Sequence, residues 1–176
     1  MRISAWRPKE LSMSHKHLLI RLDADILPNQ ALGGITLRSN IADLEDRLAG
    51  LGAWKSGSFE LVSSFEAKYK LGRGEVEMYV DIRNGKIFKL AAGKGYKGKF
   101  CGNIFVGMIV RQAMAIEPRL YYDESNEMIL CKDIAGLAME IPEIDPLPET
   151  VPDLNIESII VYATEIDTPM GQKGEW

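Results

Sequence analysis

Residues able to do chemistry are few in this chain and far apart. Its two histidines, His15 and His17, fall together in the terminal stretch "SMSHKHLL", and its two cysteines, Cys101 and Cys131, sit in separate apolar runs. A nucleophilic centre needs a Ser or Cys within hydrogen-bond reach of a base, and a structural zinc site needs four convergent ligands. Two terminal imidazoles and two distant thiols suit neither, so we expect no catalytic residue, no metal ligand and no cofactor-binding residue. Apolar surroundings mark Cys101 and Cys131 as reduced core thiols rather than a disulfide pair. In "KFCGNIFVGMIVRQAMAIEP" (99–118), Cys101 and its glycines read as a strand-to-helix junction, not as the elbow of a nucleophile.

Glycine and lysine also alternate in "AAGKGYKGKF" (91–100). A phosphate loop requires G-x-x-x-x-G-K-[ST] between a buried strand and a helix, and neither that spacing nor the terminal hydroxyl is present. The segment reads as a solvated hairpin or a linker. Carboxylates are plentiful but lie in turns: Asp123, Glu124 and Glu127 in "YYDESNE", and Glu143, Asp145, Glu149 and Asp153 in "PEIDPLPETVPDLN". General acid–base work needs a cleft that drives two carboxyl pKa values apart, and a hydrophilic turn does not provide one. The four prolines of the second segment exclude helix and central strand and favour a stiff surface connection, which loses little entropy when a partner holds it. These seven acidic residues are the candidate partner-binding set.

The elements that would position them follow from periodicity. "KHLLIRL" (16–22) reads as a short strand ending near Asp23, and "DADILPNQALGG" as a turn-rich connection. In "ITLRSNIADLEDRLAGLG", Ser39 or Asn40 can cap a helix carrying Ile41, Leu44, Leu48 and Leu51 on one face, with Gly52 at its stop. "FELVSSFEAKYKL", "GEVEMYVDIR" and "KIFKLAA" predict a three-stranded antiparallel meander whose Asn84-Gly85 pair marks a hairpin. A second helix ending near Pro118 leads to strands in "RLYYDES", "MILCKD", "LAMEI" and "IESIIVYATEI". Laid over "CGNIFVGMIVRQA" (101–113), the stretch "LGGITLRSNIADL" (32–44) matches Gly33 with Gly102 and Ile35 with Ile104. The expected fold is therefore α+β: two related halves, each a helix packed on an antiparallel sheet. Residues 1–16 form an N-terminal extension, with Met13 a second possible start. Residues 17–97 form the first half, and residues 98–176 the second, with the acidic proline-rich loop and a C-terminal tail. The two halves can also close as one domain.

Composition bounds the function. The 176 residues are 46% hydrophobic and 26% charged, with no window apolar enough to span a membrane and no signal-peptide core, which points to a cytoplasmic protein that does not engage membranes. Residues 1–116 hold 18 Lys and Arg against 11 Asp and Glu, whereas residues 117–176 hold 3 against 14, within a net charge of −4. That balance argues against direct nucleic-acid binding and for a basic protein partner on the acidic side. "GKIFKLAAGKGYKGKFCGNIFVGM", "EPRLYYDESNEMILC" and "EIPEIDPLPETVPDLNIESIIVYATEI" together resemble small bacterial proteins encoded beside polymorphic or type VI secretion toxins, which serve as their cognate immunity proteins. The resemblance implies a non-enzymatic, cytoplasmic inhibitor in bacterial competition, binding one toxin stoichiometrically. A nuclease toxin would present a basic groove that the acidic half could fill. The alternative is a small ligand-binding protein or hydrolase using a pocket between the two halves.

Overall fold

Strict alternation in "VEMYVD" puts Val76, Met78 and Val80 on one side of a strand and Glu77 and Tyr79 on the other, and this two-sidedness organises the molecule. The computed structural model describes residues 20–44 and 59–176. Its elements are β1 (Ala31–Leu32), β2 (Ile35–Thr36), a 3-10 turn (Ile41–Leu44), β3 (Phe59–Leu61), β4 (Glu66–Leu71), β5 (Val76–Asp81), β6 (Lys86–Ala92), α1 (Val110–Ile116), β7 (Leu120–Asp123), β8 (Met128–Cys131), β9 (Leu137–Glu140), a 3-10 turn (Val151–Asp153), β10 (Ser158–Tyr162), a 3-10 turn (Thr164–Asp167) and α2 (Pro169–Gln172).

Eight strands form one antiparallel sheet in the order β3-β4-β5-β6-β10-β9-β8-β7, and β1 and β2 form a separate two-stranded hairpin. Two meanders thus meet along a β6–β10 seam, where Ala92, Ala91, Leu90 and Lys89 lie opposite Ile159, Ile160, Val161 and Tyr162. This architecture overturns the expected α+β halves of helix on sheet. The described chain is mainly β, and its only α-helices are the seven-residue α1 and the four-residue α2. The inner sheet face is covered instead by the small hairpin, a 3-10 turn and irregular chain: Ile26, Leu32, Leu37, Phe100, Ile104, Met108, Val151 and Ile156 join Met78, Leu90, Met139 and Val161 in one core. That core draws on both of the spans expected to be halves.

Several local expectations also change. "FELVSSFEAKYKL" is two strands, β3 and β4, so the meander has four strands rather than three. Residues 20–23 are turn rather than strand, although Arg21 N–H still donates to Gly33 O at 2.8 Å. Asn40 does cap a helical turn, accepting the Ala42 amide at 2.9 Å, but this turn is 3-10. The continuation of the expected helix through Leu48 and Leu51, and both histidines, lie outside the described residues. Asn84-Gly85 closes a four-residue hairpin loop in which Gly85 takes a φ of +73° and donates to Asp81 O at 2.7 Å. Ile35 and Ile104 are both buried, the first in β2 and the second in a single bridge to Phe100. Beyond them, Arg38 and Gly107 both turn at positive φ, and Ile41 and Val110 both open a helical turn.

"AAGKGYKGKF" is not a solvated hairpin. Tyr96 is 4% exposed; its hydroxyl donates to Ala24 O at 2.7 Å and accepts the Gly33 amide at 2.9 Å. Nearby, Gly98 passes so close to Ala24 that a Cβ there would lie 1.8 Å from the Ala24 carbonyl oxygen. At Gly98, glycine is needed because the chain is pressed against the Ala24 backbone. Cys131 is buried, as expected, but Cys101 is exposed. It occupies a tight turn with φ +48°, followed by Gly102 at +74°, and a turn that reverses the chain at the surface keeps its side chain out of the core.

Candidate protein-binding surface

The acidic residues come together because two loops emerge side by side. The β7–β8 turn carries Asp123, Glu124 and Glu127, while the proline-rich chain from Ile141 to Glu157 links β9 to β10. Its backbone is fastened near both ends. Toward the β10 end, Ile156 N–H donates to Met108 O at 2.8 Å and Val110 N–H to Leu154 O at 2.9 Å, and Arg111 pairs with Asp153 at 2.6 Å. Toward the tip, the Glu127 carboxylate accepts the Asp145 amide at 3.2 Å, which joins the two loops directly. Pro146 is buried between exposed neighbours and plants the tip on the body.

The seven candidate residues are not equivalent. Asp123 is used by its own turn, accepting the Ser125 and Asn126 amides at 2.9 and 3.3 Å. Asp153 is neutralised by Arg111. Glu124, Glu127, Glu143, Asp145 and Glu149 remain exposed. Burial raises the pKa of the Tyr122 phenol, and the nearby charges of Glu127, Asp145, Glu124 and Asp123 raise it further, a sign that both loops direct one negative field at the same place. At the foot of β7, hydrogen bonds from Arg119 push the Glu117 carboxyl down to about 2.

Two residues missed by the charge reading complete the surface. Ile144 is 91% exposed and Leu147 is 62% exposed, both within the acidic tip. Leu147 opens a turn in which its carbonyl accepts the Thr150 amide and hydroxyl, each at 2.8 Å. Their signal was in the sequence: "EIDPLPE" alternates charge and apolar residues where proline forbids a strand that would bury the latter. Such an arrangement supplies apolar anchors within a ring of charge, the composition of a protein interface. It supplies no paired nucleophile and base.

Away from this surface, a concavity of about 270 Å³ is lined by Phe65, Asp81, Arg83, Phe88, Ile166 and Gln172. Two of its charged groups, Arg83 and Asp81, are committed to the fold. Arg83 donates to both Asp81 oxygens at 2.8 Å and to Gln172 O at 2.6 Å, with its guanidinium over the Phe65 ring at 4.8 Å. Burial acts to raise the Asp81 carboxyl, but hydrogen bonds from Arg83 and Trp176 outweigh it and hold the pKa below its usual value. Among the described residues, no group of three or more His, Cys, Asp or Glu is placed to hold a metal ion, and no helix is long and apolar enough to cross a membrane. Comparison with known proteins finds no matching family model, no matching curated protein and no matching solved structure.

Proposed function

We propose that this chain is a stoichiometric protein inhibitor of the toxin-immunity kind, which binds a basic toxin domain through the β7–β8 turn and the tip of the proline-rich loop. The observation that supports this reading most is the joining of the two acidic loops by the Asp145–Glu127 hydrogen bond around the exposed side chains of Ile144 and Leu147. Exposed apolar side chains on a stiff, anchored loop lose little entropy on binding, and fully desolvating such an anchor can contribute about 2 kcal/mol or more. The surrounding carboxylates steer a basic partner and select its register. A nuclease is the toxin class best suited to this charge, because its groove already binds phosphates.

The test is titration of purified protein against the toxin domain encoded beside its gene, at two salt concentrations, with growth protection measured in parallel. Ile144→Ser with Leu147→Ser should leave the melting temperature unchanged, since neither side chain is buried in the free protein, and weaken binding by about a hundred-fold. Glu124→Lys with Glu143→Lys and Glu149→Lys should slow association and reduce its salt dependence. Unchanged affinity and protection in both variants would remove these loops as the recognition surface and direct attention to Arg73, Lys94 and Lys97 in the basic half.

A further inference from the structure

One edge of the large sheet is open and apolar. β3 ends the strand order, with β4 as its neighbour on one side and no strand on the other among the described residues. The register sets Phe59 opposite Tyr69, Glu60 opposite Lys68 and Leu61 opposite Ala67, and one step further Val62 N–H donates to Glu66 O at 3.0 Å. Hydrogen-bonded pairs alternate along an antiparallel ladder, so Glu60 is the next residue bonded to β4. The N–H and C=O groups of Phe59 and Leu61 therefore point to the free edge. The side chains around them are apolar: Phe59, Leu61, Val62, Phe65 and Ile82 are all between 48% and 64% exposed. Ile82 N–H donates to Phe65 O at 2.9 Å, which joins the end of β5 to this patch.

An open edge is a template for a further strand, and folded chains usually blunt it with unpaired charge, proline or a bulge. β3 holds one charge, Glu60, and Lys68 neutralises it at 3.2 Å. The opposite edge, β7, ends in Asp123 and follows the Glu117–Arg119 ion pair. Glu60, Glu66, Lys68 and Lys70 leave β3 and β4 without net charge. Such a neutral edge selects neither a basic nor an acidic partner, and it does not repel a copy of itself. The acidic loops lie toward the other end of the strand order, about 30 Å away at the usual strand spacing. Salt screens exposed charges beyond about 8 Å, so the acidic half does not oppose contact at β3.

We propose that this chain self-associates through β3, two copies pairing antiparallel about a two-fold axis at Leu61 to form one continuous sheet. In that register each Leu61 exchanges both backbone hydrogen bonds with its symmetry mate, while Glu60 faces Val62 of the second copy and Phe59 faces Ser63. A pairing centred on Glu60 would set two carboxylates directly opposite each other, which is unfavourable. Phe59 and Leu61 of the two copies then form a single apolar row, covering side chains that each copy alone leaves exposed. The contact is a small one, so the dimer forms at raised concentration. Both acidic loops stay free at the outer ends, and the inference does not rest on the toxin-inhibitor reading.

Sedimentation velocity of the whole chain from about 1 μM to about 1 mM should show a monomer giving way to a dimer. Amide exchange measured at both ends of that range should slow with concentration at Phe59 and Leu61, whereas the Glu60 amide, already bonded to β4, should not change. Leu61→Pro removes an N–H that a single copy does not use, at a position where edge strands accept proline, and should weaken association by about ten-fold or more. Leu61→Lys places like charges on the axis and should weaken association as much; because Leu61 is 64% exposed, the melting temperature of the dilute protein should stay the same. This second variant decides the matter if Leu61→Pro does not fold. A chain that is monomeric at every concentration, or a dimer unweakened in a folded Leu61 variant, would overturn the proposal. So would protection of Phe59 and Leu61 that is independent of concentration, the result expected if residues 45–58 filled the edge instead.

Discussion

Replacing Tyr96 by phenylalanine removes one oxygen atom and should cost about 2–4 kcal/mol of stability. The ring is 4% exposed, and phenylalanine fills the same volume, so the apolar contribution is unchanged. What disappears is the bridge between the Ala24 carbonyl, 2.7 Å away, and the Gly33 amide, 2.9 Å away. Both residues are buried, and with the hydroxyl gone neither group has water to turn to. Each buried polar group left unpaired costs about 1–3 kcal/mol, and partial relaxation of the turn keeps the total below the sum of two such losses. The bridge joins the chain at Ala24 and Gly33 to the segment after β6, so its loss should loosen the cover of the inner sheet face without altering the strands. Urea denaturation followed by far-ultraviolet circular dichroism is the assay: the midpoint should fall by about 1–2 M with an unchanged slope. A loss smaller than about 0.5 kcal/mol would refute the reasoning, because it would mean that water reaches both backbone groups.

Arg38 donates two hydrogen bonds of 2.6 Å to Glu165 and two more to Asn29, so Arg38→Ala should detach the first turns from the C-terminal segment; at one-third exposure the ion pair contributes about 1 kcal/mol or less. Arg38 holds the Glu165 carboxyl below its ordinary value of 4.5; the stability this supplies is complete above that value and lost as pH falls through the lowered one, so urea midpoints measured into the acid range should fall less steeply in Arg38→Ala than in the unaltered protein. Gly98→Ala would set a Cβ 1.8 Å from the Ala24 oxygen and should lose more than about 3 kcal/mol, whereas Gly102→Ala faces open space and should cost about 1 kcal/mol from its positive φ alone, a contrast that thermal melts can read. In the folded protein one of the two thiols should react with an aromatic disulfide reagent, slowly because burial and Glu117 raise the Cys101 pKa; Cys101→Ser should abolish that reaction, and Cys131 should react only after unfolding.

What the amino-acid sequence determined by itself was local. Alternation in "VEMYVD", the hairpin signal at Asn84-Gly85 and the apolar runs from Leu120 to Tyr162 depend on neighbours along the chain, and those strands formed where their patterns placed them. The proline-rich segment likewise stayed irregular, because a missing N–H excludes helix and ladder whatever surrounds it. The charge of the second half was equally legible. The tertiary structure decided the rest. Apolar runs after Gly33 and Cys101 carry no statement of whether they become strand, bridge or irregular cover, and packing against the sheet placed Ile35 in β2 and Ile104 in a bridge to Phe100. The exposure of Cys101 was hidden for a related reason, since its apolar neighbours Phe100 and Ile104 enter the core while the turn between them does not. Above all, only the sheet order set β10 beside β6 and brought Glu127 to Asp145, because such meetings depend on which strands pair, and pairing is settled by the burial of one shared face.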